Sequence, residues 1–221
     1  QSVVNDATIQ LTGAETLTSF NDLDENSGTV VYVGDNDAVA DTINIFDWGA
    51  IDYYNLTVDG AETGLNKDAF KLTAAIDIDG NLTLTDGTFD VDSVGNNSIN
   101  LAGTWTNTSA TFQARSGTVT FDGTATGKTI TSGNQNFNTL AISGSGGAWT
   151  LNTNNLTAAT LNVTAGTLAT STLNLTVTGT TTLNGGNLTG GSGIMTFGTG
   201  GLGNLAISNA SSTFTASTTV T

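Results

Sequence analysis

Nine apolar positions, Val33, Leu56, Ile78, Leu101, Phe121, Leu140, Leu161, Leu183 and Leu205, recur at steps of 19 to 23 residues. Each sits in a short run where apolar and polar residues alternate, as in Leu82-Thr83-Leu84, Ile99-Asn100-Leu101, Leu161-Asn162-Val163 and Leu173-Asn174-Leu175. Alternation with period two sends one side chain into a core and the next outward, which is the geometry of a strand. A unit of this length cannot bury its apolar face alone and must stack on its neighbours. The reading is an all-β chain forming a parallel β-solenoid of three strands per turn, with about nine or ten coils of 19–23 residues. A β-sandwich is the alternative, because hairpins would use the same turn residues.

Those turns are explicit: Asp86-Gly87, Gly95-Asn96-Asn97, Ser132-Gly133-Asn134, Gly144-Ser145-Gly146-Gly147 and Gly185-Gly186-Asn187 separate the strands. Glycine and asparagine tolerate the positive φ that corners demand. Proline is absent, and asparagine and threonine recur where they can align between coils, which favours stacking over hairpins. Cysteine and histidine are also absent, so no disulfide framework, thiolate or imidazole metal site, or cysteine nucleophile is available.

Charge divides the chain. Eighteen of the 19 acidic residues lie between Gln1 and Asp92, against only Lys67 and Lys71; beyond them stand only Asp122, Arg115 and Lys128. The expected organisation is an N-terminal strand segment, 1–26, able to pair between subunits, followed by the solenoid, 27–221, acidic to about residue 92 and nearly uncharged afterwards. With a net charge of −15, nucleic acid is excluded as a natural partner. No apolar run approaches the roughly 18 residues of a membrane-spanning helix. The chain starts at Gln1 and not at methionine, as a secreted chain does after processing.

A longer repeat overlies the coils. Ser27-Gly28-Thr29-Val30-Val31-Tyr32 returns as Ser116-Gly117-Thr118-Val119-Thr120-Phe121 and as Ser192-Gly193-Ile194-Met195-Thr196-Phe197. A second box follows each copy: Asn55-Leu56-Thr57-Val58, Thr139-Leu140-Ala141-Ile142 and Asn204-Leu205-Ala206-Ile207. Together with Ala102-Gly103-Thr104-Trp105-Thr106-Asn107, this vocabulary resembles the Thr/Asn/Gly-rich β-helical repeats of adhesin-like bacterial and archaeal cell-surface proteins, over about residues 70 to 210. The resemblance implies an extracellular or cell-surface rod.

Catalysis finds little to build on. A β-helical polysaccharide lyase needs a basic residue, and Arg115, Lys67, Lys71 and Lys128 are the only ones. Asp77, Asp79, Asp90 and Asp92 are the carboxylates that could pair for glycoside hydrolysis. The same four are candidate Ca²⁺ ligands, with Asp35-Asn36-Asp37 and Asp22-Leu23-Asp24-Glu25 as further acidic alternations, since hard cations take converging carboxylate oxygens. Charge on outward strand positions, kept there against edge pairing, explains them equally. Trp48, Tyr53 and Tyr54 are grouped closely enough to stack on sugar rings, or else to fill a coil. Asn-x-Ser/Thr tripeptides recur, as at Asn55, Asn81, Asn155, Asn174 and Asn187, and serve either as glycan acceptors or as ladder positions between coils.

A solenoid exposes backbone groups and core side chains at its two ends. The strand-like stretches at both termini carry Val3, Val4, Ile9 and Leu11 at one end and Phe214 and Val220 at the other. The functional expectation is a secreted structural subunit, not an enzyme, that assembles head to tail with itself. The alternatives are a stalk segment of a larger surface adhesin and a carbohydrate-binding or polysaccharide-cleaving module.

Overall fold

The structure, a computed structural model, describes residues 2–3, 6–13, 15, 22–23, 26–49, 52–60, 67–198, 204–215 and 219–220; for 2–3, 22–23 and 219–220 it describes the backbone alone. The described residues are all β and contain no helix, and their parallel strands stack as a β-solenoid of about eight turns. The chain divides into two compact units, Gln1–Gly117 and Thr118–Thr221.

In the first unit each full turn contributes three strands. Leu82–Asp86, Thr88–Asp90 and Ile99–Leu101 make one such turn. Each stacks in parallel on its counterpart: Leu56 beside Leu82, Phe89 beside Phe70, Ile99 beside Ile76. The alternation in sequence becomes alternation in burial. Leu82 and Leu84 are buried while Thr83 between them is half-buried, and Ile76–Ile78 and Ile99–Leu101 repeat the pattern. Columns of identical or similar side chains follow, each buried leucine contributing about 1.5–3 kcal/mol of hydrophobic stabilisation. Phe89 and Phe112 stack with centroids 5.9 Å apart, and Trp105 meets Phe112 edge-on at 4.9 Å.

The second unit uses the same logic with longer strands. Asn136–Ile142 pairs with Leu156–Val163, bringing Leu140 beside Leu161 and Ile142 beside Val163. Leu156–Val163 in turn carries two shorter strands on its other side, Leu175–Val177 and Thr181–Leu183. Trp149 is fully buried, edge-on to Phe121 at 5.6 Å, with the Lys128 ammonium 4.9 Å from its ring centroid.

The stacking register departs from the even spacing of the sequence where a longer step intervenes in the acidic unit. Leu56 stacks on Leu82, 26 residues on, and not on Ile78, which belongs to a different face and stacks under Leu101. Within the 1–26 segment the described strands pair in parallel, Thr8–Leu11 in register with Thr29–Tyr32 and Ser2–Val3 with Asp22–Leu23. Leu11 is buried in the first of these strands.

Candidate functional site

Three places were singled out by sequence: the ends, the acidic alternations and the aromatic group. At the C-terminal end, the strands Leu205–Ile207, Thr213–Thr215 and Thr219–Val220 each pair inward, with Thr181–Leu183, Asn187–Thr189 and Ile194–Phe197. One turn further in, Leu183 and Leu188 are completely buried. Their partners in the last turn are not: Ile207, stacked on Leu183, is 51% exposed, and Phe214, stacked on Leu188, is half-buried. The core column continues into the last turn and meets solvent there.

At the other end Ile9 is half-buried on the first-turn strand. The strand's exit is held by Glu15, whose carboxylate accepts the amides of Thr12 at 2.8 Å and Gly13 at 2.9 Å. Val4 lies outside the described residues, as do the side chains of Val3 and Val220.

The four carboxylates named as candidate calcium ligands, Asp77, Asp79, Asp90 and Asp92, do not form one cluster among the described residues. Asp90 receives a bidentate guanidinium from Arg115, at 3.0 and 2.9 Å, which holds the guanidinium pKa up. Asp92 accepts the Gly95 amide at 2.9 Å and lies 3.9 Å from the Lys71 ammonium, and both hold its carboxyl below the usual range. Asp77 and Asp79 flank buried Ile78 as outward positions. Lys67 is engaged by Asp86, while partial burial pushes the Lys128 ammonium down.

Among the described residues, the carboxylates that do converge are Asp35, Asp37 and Asp41, all exposed, each offering an oxygen within 4.8 Å of the others. Only the first two were visible as a pair in sequence. They lie on the loop between Thr29–Tyr32 and Thr42–Ile45, where Gly34, Asn36 and Ala38 take φ of 72°, 57° and 66°. Beneath this loop sits Asp68, with no solvent exposure. Its Oδ1 accepts the Asp41 amide at 2.9 Å; its Oδ2 has no hydrogen-bond partner and lies against Gly34, where any Cβ would overlap it. Burial pushes the Asp68 carboxyl up, the Asp41 amide opposes this, and the charges of Asp35, Asp41 and Asp37 add to the rise. Asp35 and Asp41 also line a cleft of about 180 Å³ with Thr12, Gly13, Thr42 and Ile43.

The aromatic group is not an open sugar platform. Trp48 is 7% exposed and Tyr53 1% exposed, because the segment after Thr42–Ile45 folds inward and fills the coil. Tyr54 is half-buried, and its carbonyl accepts the Gly80 amide at 2.6 Å. Compared with protein families, with curated proteins and with solved structures, the chain matches none.

Proposed function

We propose that this chain is an extracellular structural element that elongates end to end, the last turn of one copy being covered by the first turn of the next. The observation that carries the reading is the contrast between fully buried Leu183 and its 51% exposed stacking partner Ile207. A further turn of the same kind would cover Ile207. The first-turn strand Thr8-Ile9-Gln10-Leu11 has the matching pattern: laid in parallel on Thr213-Phe214-Thr215, it sets threonine beside threonine and Ile9 beside Phe214. The pairing of Thr8 with Thr29 and Ile9 with Val30 follows the same rule within the chain. Contact between unlike ends is heterologous and does not close, so it generates a filament.

A structural and not a catalytic role is in keeping with the basic residues, of which Lys67, Lys71 and Arg115 are each committed to an aspartate. The test is sedimentation velocity with electron microscopy over a rising concentration series. Elongating species are expected for the unaltered chain, and Ile207→Lys combined with Phe214→Lys abolishes them. Val94→Lys, at an 88% exposed site outside the end turns, leaves them unchanged. A chain that stays monomeric throughout sinks self-assembly and leaves a stalk segment, whose last turn is covered by its own chain.

A further inference from the structure

We infer that the loop carrying Asp35, Asp37 and Asp41 is a calcium site, backed from within by Asp68. Two independent observations meet here. The first is the convergence of three carboxylate oxygens within 4.8 Å of one another. Oxygens bound to a common calcium at about 2.3–2.6 Å lie at most about 5 Å apart, so the three already have the spread of one coordination sphere. The second is Asp68, a fully buried carboxylate with one oxygen lacking any hydrogen-bond partner. A buried carboxylate oxygen without a donor is costly while ionised, and a proton or a nearby cation offsets that cost.

Asp68 is joined to the cluster through backbone. It accepts the amide of Asp41 itself, and its unpartnered oxygen lies against Gly34, the residue before Asp35. A cation over the loop would thus face three carboxylates directly, with the Asp68 carboxyl behind the backbone that carries them. Among the described residues the ion pairs of Lys67, Lys71 and Arg115 go elsewhere, to Asp86, Asp92 and Asp90. The neighbouring cleft, about 180 Å³, has room for the several waters that would complete the shell, each needing about 10–15 Å³ on that measure. Magnesium needs a near-ideal octahedron at about 2.0–2.1 Å, whereas calcium accepts irregular shells of carboxylate, carbonyl and water, as an exposed loop provides.

The site is read from ligand binding to the isolated chain and does not depend on assembly. The experiment is equilibrium dialysis and thermal unfolding with calcium, with magnesium, and with a chelator, at physiological ionic strength. The unaltered chain should bind one calcium with a dissociation constant of about 10⁻⁴ to 10⁻³ M and melt higher in calcium than in chelator. Asp35→Asn with Asp41→Asn should abolish that bound ion and the shift in melting. Asp68→Asn should weaken binding while raising the melting temperature in chelator, because the buried charge is gone. Asp77→Asn with Asp79→Asn should leave both readouts intact. If the two double variants respond to calcium alike, the ions are a diffuse atmosphere around an acidic surface and the inference fails. It fails equally if the unaltered chain binds none. Should the first double variant not fold, Asp37→Asn serves in its place, judged by the dialysis stoichiometry.

Discussion

The hydroxyls of Tyr32 and Tyr53 meet 3.0 Å apart inside the acidic unit, with the rings edge-on. Tyr53 spends its one proton on the Phe46 carbonyl at 2.7 Å, so Tyr32 donates to Tyr53 while accepting the Phe46 amide at 3.2 Å. Burial pushes the Tyr32 hydroxyl up to about 12 and the Tyr53 hydroxyl upward too, so both stay protonated. Tyr53→Phe keeps the ring and strands both the Tyr32 proton and the Phe46 carbonyl. The expected loss is about 1–3 kcal/mol, the cost of leaving buried polar groups without partners, measurable as a lower denaturant midpoint at unchanged slope.

Next to this pair, Asp52 predicts a pH dependence. Its carboxylate accepts the amides of Trp48, of Gly49 at 3.2 Å and of Asp77 at 2.8 Å, tying the loop to the adjoining turn. Burial outweighs those donors and, with Asp47 nearby, raises its carboxyl from 3.8 to about 6. The folded chain therefore holds this proton more tightly than the unfolded chain. Its contribution is complete below pH 3.8 and declines as the pH rises through about 6. At most about 3 kcal/mol is involved, by the usual conversion of pKa shift to free energy. Asp52→Asn should flatten the melting profile across this window; an unaltered slope would mean that another group sets it.

The asparagines of the Asn-Leu-Thr tripeptides form the corner ladder between coils. Asn81 donates its amide to Asn55 Oδ1 at 2.9 Å and accepts the Thr104 amide on its own Oδ1 at 2.9 Å. In the second unit Asn155 and Asn174 do the same for the amides of Asn174 and Ile194. Asn81→Ala should cost about 1 kcal/mol, one corner hydrogen bond, and Asn155→Ala a similar amount. Asn55 also spends its Nδ2 on the Gly28 carbonyl at 2.8 Å. Mass spectrometry of the chain expressed in a glycosylating host should find Asn55 unmodified.

Glycine acts at the corners in two separable ways. A Cβ on Gly103 would overlap the Gly80 carbonyl, the backbone of the turn beneath. At Gly127 φ is +81° but nothing lies within 4 Å. Gly103→Ala must push two turns apart and should cost upward of about 1–3 kcal/mol, as overpacking does. Gly127→Ala meets only the left-handed penalty of about 1–2 kcal/mol. Thermal unfolding should rank Gly103→Ala as the more damaging, and only it should alter the spectrum of residues in the adjoining turn.

Strand alternation was legible because its cause is local: whether Thr83 faces outward depends on Leu82 and Leu84 beside it. The stacking partner is a different matter, since it depends on the length of everything between. Where turns are regular, Leu140 and Leu161 were rightly aligned; where a long loop intervenes, Leu56 was aligned with Ile78 and not with Leu82. The acidic loop was half legible for the same reason. Asp35 and Asp37 are neighbours in sequence, but Asp41 and Asp68 are joined only by the register that sets Thr42 beside Ala69. Each precedes one of those paired strands, so a correct register would have stacked the two aspartates. The buried fate of Trp48 and Tyr53 likewise hung on Phe46 and Tyr32, partners outside the aromatic group itself.

Charge asymmetry makes the polarity of end contacts testable. Eighteen acidic residues fall between Gln1 and Asp92, whereas the segment after Gly117 carries only Asp122 and Lys128. A contact between two first turns would bring two strongly acidic surfaces together. At low salt the Debye length is about 30 Å, against about 8 Å at physiological ionic strength, so such a contact would be suppressed in dilute buffer and promoted by added salt. A last turn against a first turn sets a nearly uncharged surface on an acidic one and is spared most of that repulsion. Elongation should therefore change little between low and physiological salt, followed by sedimentation at fixed concentration. A steep gain with salt would instead indicate contact between like ends. Such pairs close on themselves, so the product would stop at dimers and no filament would grow.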